Sequence, residues 1–519
     1  MVLTLPPHVC ACIDQLEQAG FEAWAVGGCV RDLLRGVQPH DYDLTTSALP
    51  EETLRLFPHT VPTGITYGTV TVIAQREPLE VTTFRTEEAY HDFRRPSGVL
   101  FASRLEQDLA RRDFTVNAMA YAPSRGLTDL FGGQHDLETH VIRAVGDPSD
   151  RFKEDALRVL RAFRFASQLD FALEEHTLCA ALLYGENLAK ISAERVAAEL
   201  MKSLAGQRPS ALAPLLCNGA LSFCGLTSTE HGVFPLLDTL PPDGALRLAA
   251  LCRICGAQVH AVCAALKLSN AMNQSAGAYE RQFAQPLPQS RAELKSRFPS
   301  LSPECWGDLL AARACLFGED NASLRDLLQD ILAKREPWRT GQLAVNGHDL
   351  RALGIPAGRE TGKALQMLLQ AVLEHPDWNT RERLCTMASQ WLGGGYDMFE
   401  NYEKDYIMRQ IKMLGQLLAR LLLRSDGVKY ELPLKAPYSK ADELHQALCR
   451  LLAEGKINEA ENWLYEEVGQ LGLPGLRVAI DFYLQLNERD DAYLEAHNFT
   501  RAEIEDGLKN IAQQYGVVL

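Results

Sequence analysis

The sequence predicts an α+β protein, with a mixed sheet and helices in its N-terminal part and all-α regions after it. Between about residues 20 and 145, short β-rich runs alternate with turns; the runs are FEAWAV, DYDLTT, GTVTVIA, LEVTTFR and VNAMAYA. From about residue 150 onward the strand pattern fades and long helical patterns follow, beginning with DALRVLRAFRFASQL. The chain has 519 residues, more than one hydrophobic core accommodates, so we expect three or more domains.

The composition is that of a folded protein of a reducing compartment. Apolar residues make up 46% and charged residues 23% of the chain, and no run approaches eighteen uninterrupted apolar residues. The start, MVLTLPPHVC, lacks the basic region that precedes the apolar core of a signal peptide. We expect a cytoplasmic protein without a membrane span, in which 13 scattered cysteines stay reduced. Packing of thiols in an apolar helix is favoured over a zinc site at Cys252, Cys255, His260 and Cys263.

The net charge is −15, from 52 basic and 67 acidic residues. Such a chain is not a general binder of polyanions, because nucleic-acid binding without sequence preference requires an excess of positive charge. Any nucleic acid must therefore be contacted through a local basic patch.

Two carboxylates stand one residue apart in HDYDL, at Asp41 and Asp43. Alternate residues of a strand point to the same face, so both carboxylates face one point while Tyr42 and Leu44 turn away. Unpaired, the two groups repel each other, and a hard divalent cation relieves that repulsion. Magnesium suits the pair, because it takes one or two carboxylates and completes its shell with water and substrate phosphate.

A glycine pair precedes these carboxylates. Gly27 and Gly28 lie just before the helical pattern VRDLLRG, which contains Arg31 and Asp32. Exposed backbone N–H groups at such a turn, together with the Arg31 guanidinium, suit a triphosphate that the metal bridges. The combination predicts a phosphoryl-transfer site, in which catalysis rests on positioning and charge neutralisation.

Six motifs follow one another over residues 20 to 205: GGCVRD, DYD, EVTTFR, RRDFTVNAMA, DLFGG and RFKEDALRVLRAFRFASQL. In this order they resemble the bacterial class II tRNA nucleotidyltransferase and poly(A) polymerase family. Residues 343 to 365, LAVNGHDLRALGIPAGRETGKAL, resemble the tail of the CCA-adding members. The resemblance implies a polymerase-β-like nucleotidyltransferase sheet, the 3′ end and acceptor region of tRNA as partner, and CTP and ATP as substrates.

The resemblance also implies roles for individual residues. Asp41 and Asp43 become the catalytic carboxylates that bind Mg²⁺. The implied nucleotide contacts are Gly28, Arg31, Arg112, Asp155, Arg158, Arg161 and Arg164.

The chemistry of neighbouring side chains extends this set. Gly27 and Asp32 belong to the glycine turn and are candidate nucleotide contacts. In RRDFTVNA, Arg112 suits phosphate, while Asp113 and Asn117 suit sugar hydroxyls or phosphate. Glu80 in LEVTTFR is a candidate third carboxylate, which would activate the attacking hydroxyl.

The segment EDALRVLRAFRFA predicts a polar stripe on one helix, since Asp155, Arg158, Arg161 and Arg164 recur every three residues. Cytosine and adenine each present an exocyclic amino donor beside an unprotonated ring nitrogen, whereas uracil and guanine present a carbonyl beside a ring N–H. A carboxylate beside a guanidinium matches the first pair and mismatches the second. A protein template of Asp155 and Arg158 would thus accept CTP and ATP, leaving Arg161 and Arg164 to contact phosphate or orient the pair.

A second resemblance concerns the stretch TEEAYHDFRRPSGVLFASRLEQDLA, which contains Arg94, Arg95 and Pro96. It resembles the flexible loop of family members that add adenosine, so it favours full CCA addition or A addition. His-Asp dipeptides, such as His91-Asp92 and His135-Asp136, invite a phosphohydrolase interpretation, but the further spaced ligands of such a site are not recognisable in the sequence.

The expected organisation has five segments. They are a nucleotidyltransferase head at 1–148, neck helices with the base template at 149–210, a helical body and tail for tRNA at 211–392, a linker at 393–397 and an accessory helical domain at 398–519. The last segment carries 14 basic and 20 acidic residues, which argues against RNA binding. Its runs ELHQALCRLLAEGK and NEAENWLYEEV predict antiparallel helices, loosely similar to an uncharacterised helical family of Gram-positive bacteria, and its partner is unknown.

Three functions remain open at this point. The favoured one is a CCA-adding tRNA nucleotidyltransferase, with an A-adding enzyme as a variant. A poly(A) polymerase would be expected to carry a strongly basic extension, which this acidic chain lacks. A non-catalytic RNA-binding scaffold with a degenerate fold is disfavoured by the intact pair of Asp41 and Asp43.

Overall fold

The structure, a computed structural model, describes residues 2–87, 99–392, 408, 411–419, 422–423, 429–430, 432–433, 438–515 and 517. The chain forms two compact units, namely Met1–Gly277 with Cys315–Gly318 and Ala278–Ala314 with Glu319–Leu519. Three features of the sequence lie outside the described residues: the loop with Arg94, Arg95 and Pro96, the dipeptide His91-Asp92, and the linker at 393–397. The five predicted segment boundaries stay predictions.

The described residues of the N-terminal part form eleven strands. They are β1 (Ala23–Val26), β2 (Asp43–Thr46), β3 (Thr60–Gly64), β4 (Thr69–Ala74), β5 (Glu77–Thr83), β6 (Arg85–Glu87), β7 (Val99–Phe101), β8 (Met119–Ala122), β9 (Gly126–Asp129), β10 (Val141–Ile142) and β11 (Ala172–Leu173). Seven of them form one sheet in the order β3-β4-β5-β2-β1-β8-β9, while β6 pairs with β7 and β10 with β11. In the large sheet β2 runs parallel to β5 and the other neighbours are antiparallel. The predicted mixed sheet is confirmed, since each of the five β-rich runs overlaps one of its strands.

Helices cover most of the rest of the described chain. Up to residue 265 they are α1 (Pro7–Gln18), α2 (Gly28–Leu34), α3 (Pro50–Leu56), α4 (Leu105–Ala110), α5 (Gly133–Glu138), α6 (Pro148–Glu154), α7 (Leu157–Leu169), α8 (Glu175–Tyr184), α9 (Ala193–Leu204), α10 (Ala213–Cys217), α11 (Gly244–Cys255) and α12 (Val259–Ala265). Then follow α13 (Asn270–Ala284), α14 (Arg291–Ser296), α15 (Trp306–Phe317), α16 (Ala322–Lys334), α17 (Gly347–Ala352), α18 (Arg359–Glu374) and α19 (Arg381–Leu392). The predicted change from a mixed sheet to all-α structure is confirmed.

Both faces of the large sheet are covered by apolar side chains. On one face α1 packs against a buried cluster that includes Leu44 and Val81. On the other face Trp24 and Phe84 pack with Leu109 of α4. A slip of one residue would exchange the two faces of a strand, so this packing fixes the register of β2 and with it the direction of its side chains.

Aromatic packing anchors α7 to the sheet part. Phe165 and Phe171 share a buried cluster with Phe114 and Ile142. The rings of Phe114 and Phe165 meet edge to face, with centroids 5.7 Å apart. Because α9 packs in turn against α7, the helices that carry the predicted template have a fixed place beside the sheet.

The prediction of one helix running from Asp155 to Arg164 is wrong. The structure ends α6 at Glu154 and begins α7 at Leu157. Asp155 lies between them with an extended backbone, at φ −137° and ψ 106°. Its Oδ1 accepts a hydrogen bond from the Leu157 N–H at 3.0 Å, a local bond of the kind by which aspartate competes with helix formation.

The C-terminal segment has its own buried core, which includes residues from Ile411 to Ala512. Between residues 438 and 515 its helices are α20 (Lys440–Ala453), α21 (Ile457–Val468), α22 (Gly472–Asn487), α23 (Asp491–Ala496) and α24 (Arg501–Gln514). The two runs predicted as helices form α20 and α21, which contact each other.

Within the described ranges, no single helix is long and apolar enough to cross a membrane. Only α11 and α12 together meet the criteria of length and composition, as a pair bent by 106°. Cys252 and Cys263, from the four residues considered for zinc, are buried in these two helices.

Gly133, in the motif DLFGG, packs closely against Thr115 and Met119. A Cβ on Gly133 would lie 2.4 Å from the Thr115 carbonyl oxygen, which cannot move without the turn that carries Asn117. Gly133→Ala should therefore lower the free energy of unfolding by about 1 to 3 kcal/mol, as measured by urea denaturation. Gly232→Ala is the matched control, because a Cβ there meets nothing within 4 Å. Equal stability of both variants would contradict this packing.

Candidate active site

Asp41 and Asp43 lie side by side at the beginning of β2. The strand begins at Asp43, so Asp41 stands just before it rather than within it. Asp41 and Asp43 are exposed while Tyr42 and Leu44 are buried, as the alternation of the sequence predicts. The two carboxylates therefore share one accessible side of the strand.

Glu80 joins this pair from the neighbouring strand. In the parallel pairing of β2 with β5, Glu80 stands opposite Asp43, and both are exposed. Desolvation and the charge of Glu80 raise the pKa of Asp43, Asp41 adds to the rise, and Arg112 opposes it. Three carboxylates thus repel one another here, which is the condition that a divalent cation relieves.

The carboxylate oxygens of Asp41, Asp43 and Glu80 are ligands that suit a hard divalent cation. Across the described parts of the chain, no group of three or more His, Cys, Asp or Glu residues is arranged to hold a metal ion. A cation on Asp41 and Asp43 would complete its shell with ligands from outside the protein, as hard divalent cations can do.

The glycine turn brings an arginine close to these carboxylates. Gly27 has φ +81°, a conformation that residues with a Cβ rarely adopt, and a Cβ there would lie 3.1 Å from Nη1 of Arg112. Gly28 opens α2 directly after the turn. The glycine at position 27 thus permits both the backbone geometry and the approach of Arg112.

Arg31 and Asp32 form a pair at the same turn. Arg31 donates from Nε and Nη2 to Asp32 at 2.9 Å each, and from Nη1 to Oδ1 of Asn117 at 2.7 Å. Asp32 and Asn117 therefore orient the guanidinium of Arg31. The side chain of Arg31 is only 11% exposed.

A cavity of about 260 Å³ lies beside this turn. It is lined by Arg111, Arg112, Asp113, Asp155, Leu157, Arg158, Arg161 and Arg195. The structure thus brings together five of the predicted nucleotide contacts, from segments more than 40 residues apart. It adds Arg111 and Arg195, which the sequence did not single out.

Asp113 is the buried centre of the cavity wall. Its Oδ2 accepts from Nε and Nη2 of Arg161 at 2.8 and 2.5 Å, and its Oδ1 accepts from the Phe114 N–H at 2.9 Å and from Nδ2 of Asn117 at 3.3 Å. Burial alone would raise the pKa of Asp113. The charge and hydrogen bonds of Arg161, together with the hydrogen bond from Asn117, outweigh burial and lower this pKa to about 2. Asp113 and Asn117 therefore hold arginines in place from within the protein.

Asp155 and Arg158 reach the cavity from the junction of α6 and α7. Oδ2 of Asp155 accepts from Nη2 of Arg195, on α9, at 2.8 Å. Arg158 donates from Nη2 to the Arg111 carbonyl at 3.0 Å and pairs through Nη1 with Glu154. Both predicted template residues thus line one cavity, each with a fixed protein partner.

Arg164 occupies a different place from the other template residues. It does not line the cavity; its Nε pairs with Glu199 at 2.5 Å, and its guanidinium lies 3.8 Å from the ring centroid of Phe165. Arg161 lies 3.8 Å from the same Glu199 carboxylate. Arg164 therefore shares a buried anion with Arg161.

Asp108 is a positioning carboxylate that the sequence did not reveal. It is fully buried and accepts from Arg111 at 2.6 Å and from Arg112 at 3.1 Å. Thr45 of β2 donates to it at 3.3 Å. Burial opposes ionisation of Asp108, but Arg111 and Arg112 prevail and lower its pKa. Its spacing of three and four residues to these arginines was visible in the sequence, whereas its contact with β2 depends on the fold.

Family models match three parts of the chain. Residues 23–143 match the Poly A polymerase head domain, and residues 170–221 match the Probable RNA and SrmB- binding site of polymerase A. Residues 401–516 match a Family of unknown function (DUF6483). The fold and site thus define a nucleotidyltransferase head followed by helical regions, as predicted.

Relatives of known name match most of the chain. A CCA-adding enzyme from Lactobacillus delbrueckii subsp. bulgaricus is 40% identical over 369 residues, which cover 70% of this chain and 92% of the relative. The crystal structure of the Bacillus stearothermophilus CCA-adding enzyme in complex with CTP is 33% identical with a TM-score of 0.64, and the match covers 76% of this chain and 100% of that one. The Thermotoga maritima CCA-adding enzyme complexed with tRNA shares the fold at 19% identity and a TM-score of 0.52, over 75% of this chain and 96% of that one.

The chain belongs to the family of CCA-adding enzymes, which are nucleotidyltransferases. Enzymes of this kind typically use divalent metal ions. The exposed carboxylates at the beginning of β2 agree with that use.

The low pKa of Asp113 predicts an acid-dependent contribution to stability. Its pKa in the fold is about 2 against an ordinary 3.8, so its contribution is present above about pH 4 and is lost as the pH falls toward 2. Asp113→Asn should lower the free energy of unfolding by about 2 kcal/mol at pH 7, and the difference from the wild type should shrink as the pH falls. Asp150→Asn, at an exposed carboxylate, should change the free energy of unfolding little at pH 7 or at pH 2. A difference that stays constant between pH 5 and pH 2 would refute the role of the Arg161 pair.

Proposed function

We propose that the chain adds CCA to the 3′ end of tRNA from CTP and ATP, with release of diphosphate and without a nucleic-acid template. The position of Arg112 carries this proposal. Arg112 lines the cavity with Asp155 and Arg158, lies beside Gly27, and acts electrostatically on Asp43. One side chain thereby connects the metal carboxylates, the glycine turn and the base-reading groups.

In this reaction the 3′-hydroxyl oxygen of the tRNA bonds to the α-phosphorus of the nucleotide. The bond from that phosphorus to the bridging oxygen of the β-phosphate breaks, so diphosphate leaves. Magnesium, held by Asp41 and Asp43, would neutralise charge on the phosphate oxygens. Glu80 stands opposite Asp43 and is the candidate acceptor of the hydroxyl proton.

The triphosphate is assigned to the glycine turn, with the backbone of Gly27 and Gly28 and the guanidinium groups of Arg31 and Arg112. The two guanidinium groups have carboxylate partners in the fold, so each is oriented before the nucleotide binds. Such orientation lowers the entropic cost of binding and of catalysis.

The base is assigned to the cavity. Asp155 accepts from the exocyclic amino group of cytosine or adenine, and Arg158 donates to the unprotonated ring nitrogen. UTP and GTP present a carbonyl to Asp155 and a ring N–H to Arg158, so both contacts are lost. Arg161, paired with Asp113 on the cavity wall, is assigned to orienting this edge, and Arg164 supports Arg161 through the Glu199 carboxylate that both arginines approach.

Full CCA addition is preferred over the alternatives. The relative at 40% identity and the solved structure at 33% identity both carry the name CCA-adding enzyme, which supports addition of the whole CCA sequence rather than of A alone. A poly(A) polymerase is disfavoured by the net charge of −15. A non-catalytic scaffold is disfavoured because both metal carboxylates are present and exposed.

The metal pair gives the direct test of this function. With magnesium, CTP and ATP, the wild type should extend tRNAs that end before CCA, after C and after CC. Asp41→Ala and Asp43→Ala should each lower the incorporation of both nucleotides by at least about a thousandfold, because each removes half of the carboxylates that hold the metal. Asp14→Ala, at an exposed carboxylate of α1, is the control and should retain wild-type activity. Near-normal turnover in either metal-site variant would disprove the assignment.

We propose further that residues 398–519 are an accessory domain behind the linker at 393–397. Residues 401–516 match a family of their own, and the buried core from Ile411 to Ala512 is distinct from the cluster between Val345 and Ala388. A chain that ends at Leu392 should stay folded and add CCA at a rate within about twofold of the full chain. Steady-state kinetics with varied tRNA checks this. A large rise in the KM for tRNA would show instead that the acidic segment forms part of the RNA site.

A further inference from the structure

Arg195 lies on α9, after the motifs that carry the predicted template. Its Nη2 donates to Oδ2 of Asp155 at 2.8 Å, and both residues line the cavity assigned to the base. The side chains are 34% and 17% exposed respectively, so the pair lies at the wall of the cavity rather than on an open surface.

The backbone at Asp155 makes this contact important. Because the residue stands in an extended junction between α6 and α7, helix geometry does not set the direction of its side chain. Within the described part of the chain, the other hydrogen bond of its side chain is the local one from the Leu157 N–H to Oδ1. The terminal torsion of an aspartate is broad, so a single local bond leaves the carboxylate free to rotate. Arg195 supplies the second fixed point.

The pair leaves room for the base. An ionised carboxylate has about four acceptor sites on its two oxygens. Leu157 and Arg195 use one on each oxygen, so an exocyclic amino group has a site on Asp155 without displacing Arg195. Binding of a nucleotide therefore does not require this contact to break.

We infer that Arg195 is a positioning residue that sets the orientation of the Asp155 carboxylate, and through it the preference for bases that present an exocyclic amino group beside an unprotonated ring nitrogen. The inference rests on the proposed function, since it assigns to Arg195 a part of the base selection in that reaction. In this role Arg195 acts on base selection through Asp155. A purely structural pair would affect stability and leave the choice of base unchanged.

The test compares kcat/KM for ATP with that for GTP on a tRNA that ends in CC. Arg195→Gln and Arg195→Met should each narrow this ratio by about tenfold, within the range expected for one base-reading contact. Arg195→Lys keeps a positive charge but loses the planar set of guanidinium donors. Its ratio of ATP to GTP should therefore lie between that of the wild type and that of the Gln variant. Circular dichroism and melting temperature confirm that each variant is folded.

Glu194→Gln provides the matched control. Glu194 is the preceding residue on α9 and pairs at the surface with Lys267 at 2.9 Å. Its replacement removes a charge from the same helix without touching Asp155, so the ratio of ATP to GTP should stay at the wild-type value.

A double-mutant cycle shows whether Arg195 acts through Asp155. Asp155→Asn should narrow the ratio by itself, and adding Arg195→Gln should narrow it no further, because the group to be positioned is already changed. An unchanged ratio of ATP to GTP in both Arg195→Gln and Arg195→Met would overturn the inference. A double variant whose loss of selectivity equals the product of the two single losses would also overturn it, because the two residues would then act independently. Failure of the wild type to add C and A would instead refute the proposed function.

Discussion

The buried carboxylate of Asp113 is the constraint on which the site depends. It holds Arg161 of α7 through one oxygen, and Asn117 and a backbone N–H through the other, while Asn117 in turn holds Arg31 beside the glycine turn. Three distant parts of the chain are thus fixed by one group. A buried charge of this kind is tolerated only because its hydrogen bonds and its cation are complete, so loss of one partner affects all of them.

The same arrangement recurs around the cavity. Asp108 orients Arg111 and Arg112, and Asp155 pairs with Arg195. Asp108 and Asp113 each neutralise an arginine and fix the direction in which its remaining donors point. A chain with a net charge of −15 can thereby keep several arginines around one cavity. The positive charge is concentrated by geometry rather than by composition.

Features governed by local periodicity could be predicted from the sequence. The alternation in HDYDL gave the exposed sides of Asp41 and Asp43, and the glycine pair gave the turn before α2. The pairing of β2 with β5 depends on contacts between distant segments, so the place of Glu80 opposite Asp43 required the fold. The residues that pair with Asp155 could not be predicted from the sequence for the same reason. Asp155 pairs with Arg195, 40 residues later, and its local bond to Leu157 breaks the helix that the three-residue spacing predicted.

The most direct measurement is a crystal structure of the full chain with ATP and magnesium. The account predicts the triphosphate beside Gly28 and Arg112, the metal on Asp41 and Asp43, and the exocyclic amino nitrogen of adenine about 3 Å from the Asp155 carboxylate, with Arg195 still paired to it. An adenine bound outside the cavity, or one whose amino group faces no carboxylate, would contradict the account of base selection.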